Sequence, residues 1–170
     1  MKPNRAISVH RTGIGYDAHP FVDGRPLVLG GVSIPHTRGL AGHSDADVLC
    51  HAIADALLGA VAAGDIGRHF PDTDPRYKGV SSVVLLGRVG DLVRKSGARI
   101  VNVDSVLVIE EPRVSPHFEE MRDRMAGVLR VERGAVSVKA TRNEGMGFTG
   151  RAEGVAAFAV ATVAITEPIE

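Results

Sequence analysis

Gly42-His-Ser-Asp-Ala-Asp-Val-Leu-Cys-His-Ala-Ile-Ala-Asp55 is the stretch on which the fold reading turns. From Ser44 the apolar residues Ala46, Val48, Leu49, Ala52, Ile53, Ala56, Leu57 and Val61 recur at helical spacing. Ser44 is a fitting N-cap and Gly64 closes the run, which predicts a helix. Asp47, His51 and Asp55 stand at i, i+4 and i+8, a polar stripe down an otherwise apolar helix. A solvated face would carry Lys, Arg and Glu, whereas two Asp and a His suit a cation. His43 and Ser44, just before the helix, offer side-chain donors beside the exposed backbone N–H groups of its first turn. That is either a seat for phosphate or simply a cap.

Working outward, Ser8–Tyr16 reads weakly as extended, and Leu27–Ile34 has two apolar runs around Gly30-Gly31, the pattern of a hairpin. Downstream, 65–79 is dense in Gly, Pro and Asp and reads as a long structured loop. A helix is expected over Ser82–Ser96, a strand over Ile100–Ile109, a helix beginning near Ser115-Pro116, and a strand over Ala135–Ala140. Thr141–Gly150 reads as a glycine-rich loop, and the Ala-rich Glu153–Ile165 as a last helix. This order predicts an α+β sandwich, with helices on one face of a sheet of about four strands. The other face then needs cover, for which an oligomer is the simplest source.

The chain has 170 residues, with 20 Lys+Arg against 20 Asp+Glu and 44% hydrophobic residues, the size and balance of one domain spanning 1–170. Neutral charge, no Trp and seven aromatics argue against nucleic acid as a partner. The longest apolar run, Val155–Ile165, is far short of the roughly 20 residues that cross a membrane, so no membrane is expected. No secretory signal is read at the N-terminus, and the single Cys50 lies in an apolar stretch, which fits a reducing cytoplasm.

Three further segments carry chemistry. In Arg11-Thr-Gly-Ile-Gly-Tyr-Asp-Ala-His-Pro-Phe21 an extended chain puts Asp17 and His19 on one face, half of a metal site or else a turn with two surface polar residues. Gly13-x-Gly15-x-x-Ala18 leads into His19-Pro20 and not into a helix, so a dinucleotide fingerprint is rejected. Gly64–Pro75 holds Asp65, Asp72 and Asp74 in a turn-rich loop suited to substrate hydroxyls, with spacing that fails for calcium. Between Lys139 and Gly154 a strand leaves into a glycine-rich loop in which Glu144 suits a hard cation such as magnesium, and the Gly-Lys-Ser/Thr of a P-loop is missing.

Together these words, Gly-Tyr-Asp17-Ala-His19-Pro-Phe21, Gly42-His43-Ser44-Asp45-Ala-Asp47, Asp65-Ile-Gly67-Arg-His-Phe70-Pro-Asp72-Thr-Asp74 and Gly147-Phe148-Thr-Gly150-Arg151-Ala-Glu153-Gly154, resemble the 2-C-methyl-D-erythritol 2,4-cyclodiphosphate synthase family of non-mevalonate isoprenoid synthesis. The resemblance implies a homotrimer with active sites between subunits. It implies conversion of 4-diphosphocytidyl-2-C-methyl-D-erythritol 2-phosphate to the cyclic diphosphate and CMP. By position, Asp17, His19 and His51 match zinc ligands, and Glu144 matches the ligand of a second ion, Mg2+ or Mn2+. His43 and Ser44 match residues at the diphosphate. Asp65, Gly67, Phe70, Asp72 and Asp74 match the part that holds the methylerythritol. Ile109, Pro112, Arg113, Ser115, Ala140 and Thr141 match the cytidine pocket, lent by a neighbouring subunit, and Phe148 and Arg151 belong to the last matching word.

Two positions depart from the family pattern. Arg142 and Asn143 follow Thr141 where further threonines are common, one of them assigned to transition-state stabilisation, and Arg113 stands where Lys is usual. His43 and Arg142 are the residues the resemblance puts in catalytic positions. Two other readings of the same residues are a metal-dependent phosphohydrolase and a trimeric binding module without turnover.

Overall fold

A computed structural model describes residues 6–168. A five-stranded sheet is built from β1 (Ala6–Asp23), β4 (Arg38–Leu40), β5 (Ala98–Val108), β6 (Val136–Thr141) and β7 (Gly154–Pro168), in the order β4-β1-β7-β5-β6. The β5–β6 pair is parallel and the others antiparallel. β2 (Leu27–Leu29) and β3 (Val32–Ile34) form a separate hairpin around Gly30-Gly31, as expected. Four helices pack as α1 (Val48–Ala60), α3 (Ser82–Lys95), α4 (Phe118–Leu129) and the single turn α2 (Ile66–His69), and a fifth short turn, α5 (Gly147–Gly150), precedes β7. The architecture is the expected α+β sandwich with one helix-covered face.

The last helix of the sequence reading is a strand. In β7, Val155, Ala157, Ala159, Ala161 and Val163 are buried while Phe158 and Val160 are exposed, an alternation of period two that the density of alanine hides. The alanines answer to packing: α1 lies directly across β1 and β7, and only small side chains fit between. The sheet accordingly has one strand more than expected. β1 is also longer than its weak signal, because Gly13 and Gly15 interrupt its apolar pattern. Their role is close approach, since a Cβ on Gly13 would meet the Ala56 carbonyl oxygen at 2.1 Å and one on Gly15 the Ala52 carbonyl oxygen at 1.9 Å.

Helix α1 begins three residues later than an N-cap at Ser44 implies. Asp47 is the cap, and its carboxylate accepts the N–H of Cys50 at 3.2 Å. The same carboxylate accepts Gly30 N–H at 2.9 Å and Gly31 N–H at 2.6 Å, pinning the β2–β3 turn to the helix start. Asp47 is fully buried, and burial raises its pKa. The first turn of α1 is therefore capped by the Asp47 carboxylate and not by Ser44.

The uncovered sheet face carries Ile14 and Tyr16 of β1 beside Phe158 and Val160 of β7, all exposed. Tyr16 and Phe158 stack with ring centroids 4.7 Å apart. Among the described residues, no helix is long and apolar enough to cross a membrane.

Candidate metal centre and adjoining cavity

The register of β1 turns Asp17 and His19 to the helix-covered face that Gly13 and Gly15 also occupy, and His51 comes down from the first turn of α1 to meet them. Asp17 Oδ2 lies 2.9 Å from His51 Nδ1 and 3.0 Å from His19 Nε2, and the two imidazole nitrogens are 3.3 Å apart. Ligands bound at about 2.0–2.2 Å around one tetrahedral ion sit about 3.3 Å from one another. One carboxylate and two imidazoles at these separations fit a divalent cation of the zinc type, and these three residues form a group able to hold a metal ion.

Electrostatics agree with the geometry. Burial pushes the Asp17 pKa up, but hydrogen bonds from His19 and His51 outweigh it and hold the carboxyl well below the ordinary range. For His51, burial works against the charged form, and the hydrogen bond and charge of Asp17 reverse it, raising its pKa. The stripe read along α1 separates by role. Only His51 faces the triad; Asp47 caps the helix, and Asp55 accepts the backbone N–H of Ile66 at 2.7 Å, holding α2 in place. Asp55's pKa is raised by burial.

Beside the triad opens a cavity of about 440 Å³, lined by His19, Gly42, His43, Ser44, His51, Gly67, Phe70 and Asp72 together with Ile66, Pro71, Tyr77 and Leu85. Seven residues expected at the substrate or metal, His19, His43, Ser44, His51, Gly67, Phe70 and Asp72, thus share one wall set. His43 is exposed at the rim, whereas the Ser44 hydroxyl turns inward. Asp65 caps α2 through Arg68 N–H, and Asp74 is bonded by the Arg76 guanidinium; neither lines the cavity. Phe70 and Tyr77 meet edge to face at 5.4 Å, an aromatic wall in which Tyr77 gave no sequence signal.

A second cavity, of about 460 Å³, lies between the end of β5 and the start of α4. It brings together Ile109, Pro112, Arg113, Ser115, Ala140, Thr141 and Arg142 with Glu110, Val114 and Phe118. Among the described residues, none lines both cavities. Glu144 stands exposed in a turn with φ of 51°, Phe148 is exposed on α5, and Arg151 pairs with Glu153 at 2.8 Å. These three line neither cavity.

Fold and site define a class: an α+β sandwich that presents a triad able to hold a cation beside a cavity of small-molecule size. Within that class the chain belongs to the YgbB family, whose model matches residues 10–164. A 2-C-methyl-D-erythritol 2,4-cyclodiphosphate synthase of Pelotomaculum thermopropionicum is 63% identical over 153 residues, covering 90% of this chain and 94% of its own. A solved 2C-methyl-D-erythritol-2,4-cyclodiphosphate synthase in its CDP-bound form superposes with a TM-score of 0.82 at 37% identity, over 90% of this chain and 99% of that one. The bifunctional IspDF of Campylobacter jejuni superposes with a TM-score of 0.90 at 39% identity over 94% of this chain. This chain spans only 43% of that larger protein.

Proposed function

We propose that the chain converts 4-diphosphocytidyl-2-C-methyl-D-erythritol 2-phosphate to 2-C-methyl-D-erythritol 2,4-cyclodiphosphate and CMP. The observation that carries this reading is the Asp17–His19–His51 triad, with ligand atoms within 3.3 Å, beside a cavity walled by His43, Gly67, Phe70 and Asp72. In the reaction an oxygen of the substrate's 2-phosphate forms a bond to the outer phosphorus of the diphosphate. The bond from that phosphorus to the bridging oxygen breaks, and CMP leaves with the electron pair. The attacking phosphate is already anionic near neutral pH, its second pKa being about 6, so no side-chain nucleophile is needed.

What remains for the protein is positioning and charge stabilisation. Asp17, His19 and His51 would hold a zinc ion, and Glu144 would hold Mg2+ or Mn2+ with the substrate diphosphate. Divalent cations held by these residues would supply positive charge to offset the phosphate charge that develops. His43, exposed at the cavity rim, is placed to donate to a phosphate oxygen. Gly67, Phe70 and Asp72, with Asp65 and Asp74 behind them, form the methylerythritol pocket. Asp72 accepts a hydrogen bond from a substrate hydroxyl while the Phe70–Tyr77 wall excludes water.

The cytidine moiety occupies the second cavity. Ile109, Pro112, Ala140 and Thr141 close on the base, Arg113 and Ser115 flank it, and Arg142 supplies positive charge toward the departing phosphate. Phe148 and Arg151 complete the glycine-rich loop near the phosphates.

The two cavities share no lining residue, which supports the reading that a neighbouring copy supplies the second. The exposed Ile14, Tyr16, Phe158 and Val160 face supports a homotrimer that closes around it, with active sites between subunits. A buried free Cys50 is in keeping with work in the cytoplasm.

The test is incubation of the protein with the cytidine diphospho-substrate, with and without chelator, following the products by phosphorus NMR. Cyclic diphosphate and CMP appearing together, and both vanishing with chelator, are expected. A linear monophosphate would instead identify a phosphohydrolase, and tight nucleotide binding without turnover a binding module.

A further inference from the structure

Behind His51 the structure holds a short relay of groups that no part of the reaction yet uses. Its Nδ1 faces Asp17 and His19, while Nε2, on the far side of the ring, lies 2.9 Å from Ser82 Oγ. Ser82 opens α3 and is 1% exposed. Its hydroxyl is also bonded to the Asp45 carboxylate, whose two oxygens accept the Ser82 backbone N–H at 3.1 and 3.0 Å. Ser44 Oγ, which accepts the Ala46 N–H at 3.1 Å, lies 3.2 Å from Ser82 Oγ and 3.3 Å from His51 Nε2.

Proton counting fixes the direction of this relay. A hydroxyl has one proton, and an ionised carboxylate only accepts, so the Ser82 proton goes to Asp45. Ser82 Oγ is left with lone pairs, so toward it His51 Nε2 is the donor, and the Ser44 hydroxyl, within reach of both, gives its proton to Ser82 Oγ, the nearer of the two. A neutral imidazole carries a single N–H, so placing it on Nε2 opens the lone pair of Nδ1. The choice is not idle. Asp17 Oδ2, 2.9 Å from Nδ1, favours the opposite tautomer, in which Nδ1 is protonated and closed to a cation.

We propose that Asp45 and Ser82 are positioning residues for the metal centre. They act through His51, holding its proton on Nε2 and fixing its ring plane, so that Nδ1 is presented to the ion beside Asp17 and His19. The inference rests on the reading of Asp17, His19 and His51 as cation ligands. Partners of this kind typically change metal affinity by about 10- to 100-fold when removed.

The test is zinc binding by the full chain, measured by competition with a chromophoric chelator, for wild type, Ser82→Ala and Asp45→Ala. Each variant should bind zinc about 10- to 100-fold more weakly than wild type. In zinc-loaded wild type the His51 Nε2–H resonance should be protected from solvent exchange, and in Ser82→Ala that protection should be lost. Melting curves in chelator report folding; should Asp45→Ala unfold, Ser82→Ala carries the test. Wild-type zinc affinity in Ser82→Ala, with Nε2–H still protected, overturns the relay alone. An Asp45→Ala chain that folds and binds like wild type removes Asp45 from it. A wild-type chain with no affinity for zinc overturns the metal reading underneath.

Discussion

Gly15→Ala joins fold to site more tightly than any change at the ligands themselves. The added methyl carbon would sit 1.9 Å from the Ala52 carbonyl oxygen and 2.8 Å from the Ala56 nitrogen, both backbone atoms of α1. Restoring ordinary contact requires β1 and α1 to part by about 1.5 Å, because neither partner is a side chain that swings away. Asp17 and His19 travel with the strand, and His51, next to Ala52, travels with the helix. The triad edges of 2.9 to 3.3 Å then open past about 4 Å, beyond the span of one ion with bonds of about 2.0–2.2 Å.

Overpacking of this kind costs about 1–3 kcal/mol. For a chain of this length that lowers Tm by several degrees, about 2–4 °C for each kcal/mol. Zinc affinity is expected to fall by about 100-fold or more, as for loss of ligand orientation. Calorimetry and chelator competition on the same preparation read both effects. Unchanged zinc affinity together with an unchanged Tm would refute the argument that helix-to-strand contact sets the triad.

Three other outcomes follow from the same structure. Asp47→Ala leaves the Gly30, Gly31 and Cys50 N–H groups without their acceptor, and urea unfolding should show a loss of about 3 kcal/mol or more. Phe158→Asp places a charge on the exposed apolar face around which the proposed homotrimer closes, so sedimentation should find a smaller species for the variant than for wild type. The third concerns pH. Although burial opposes both shifts, hydrogen bonds from His19 and His51 hold Asp17 below its ordinary 3.8, and the hydrogen bond and charge of Asp17 raise His51 above its ordinary 6.5.

The Asp17 contribution is present above pH 3.8 and is lost as pH falls through its folded value; that of His51 is present below 6.5 and is lost as pH rises through its folded value. Metal-free protein should therefore gain most from this pair between those limits. Saturating zinc, which needs neutral His51, should move the optimum of Tm upward in pH. The same pH optimum with and without zinc would contradict it.

The sequence made the site more legible than the sheet. Asp17-x-His19 announced a shared face because alternation in an extended chain needs only two residues, and His51 stood out as a histidine inside an apolar helix. The β7 strand was illegible for a physical reason: the pressure of α1 on the sheet selects alanine, whose helix propensity masks a period of two. Asp47 misled in the other direction. A buried carboxylate bonded to three backbone N–H groups looks the same in sequence as a cation ligand, and only the β2–β3 turn across from it reveals the difference. Asp45 and Ser82 lie 37 residues apart and meet only through the packing of α3 on the loop before α1, which no local pattern foretells.

The most direct measurement is the anomalous diffraction of crystals grown with zinc. A single strong peak bonded to Asp17 Oδ2, His19 Nε2 and His51 Nδ1, at about 2.0–2.2 Å from each, is the expected result. A zinc ion found elsewhere, or held by His51 through Nε2, would contradict it.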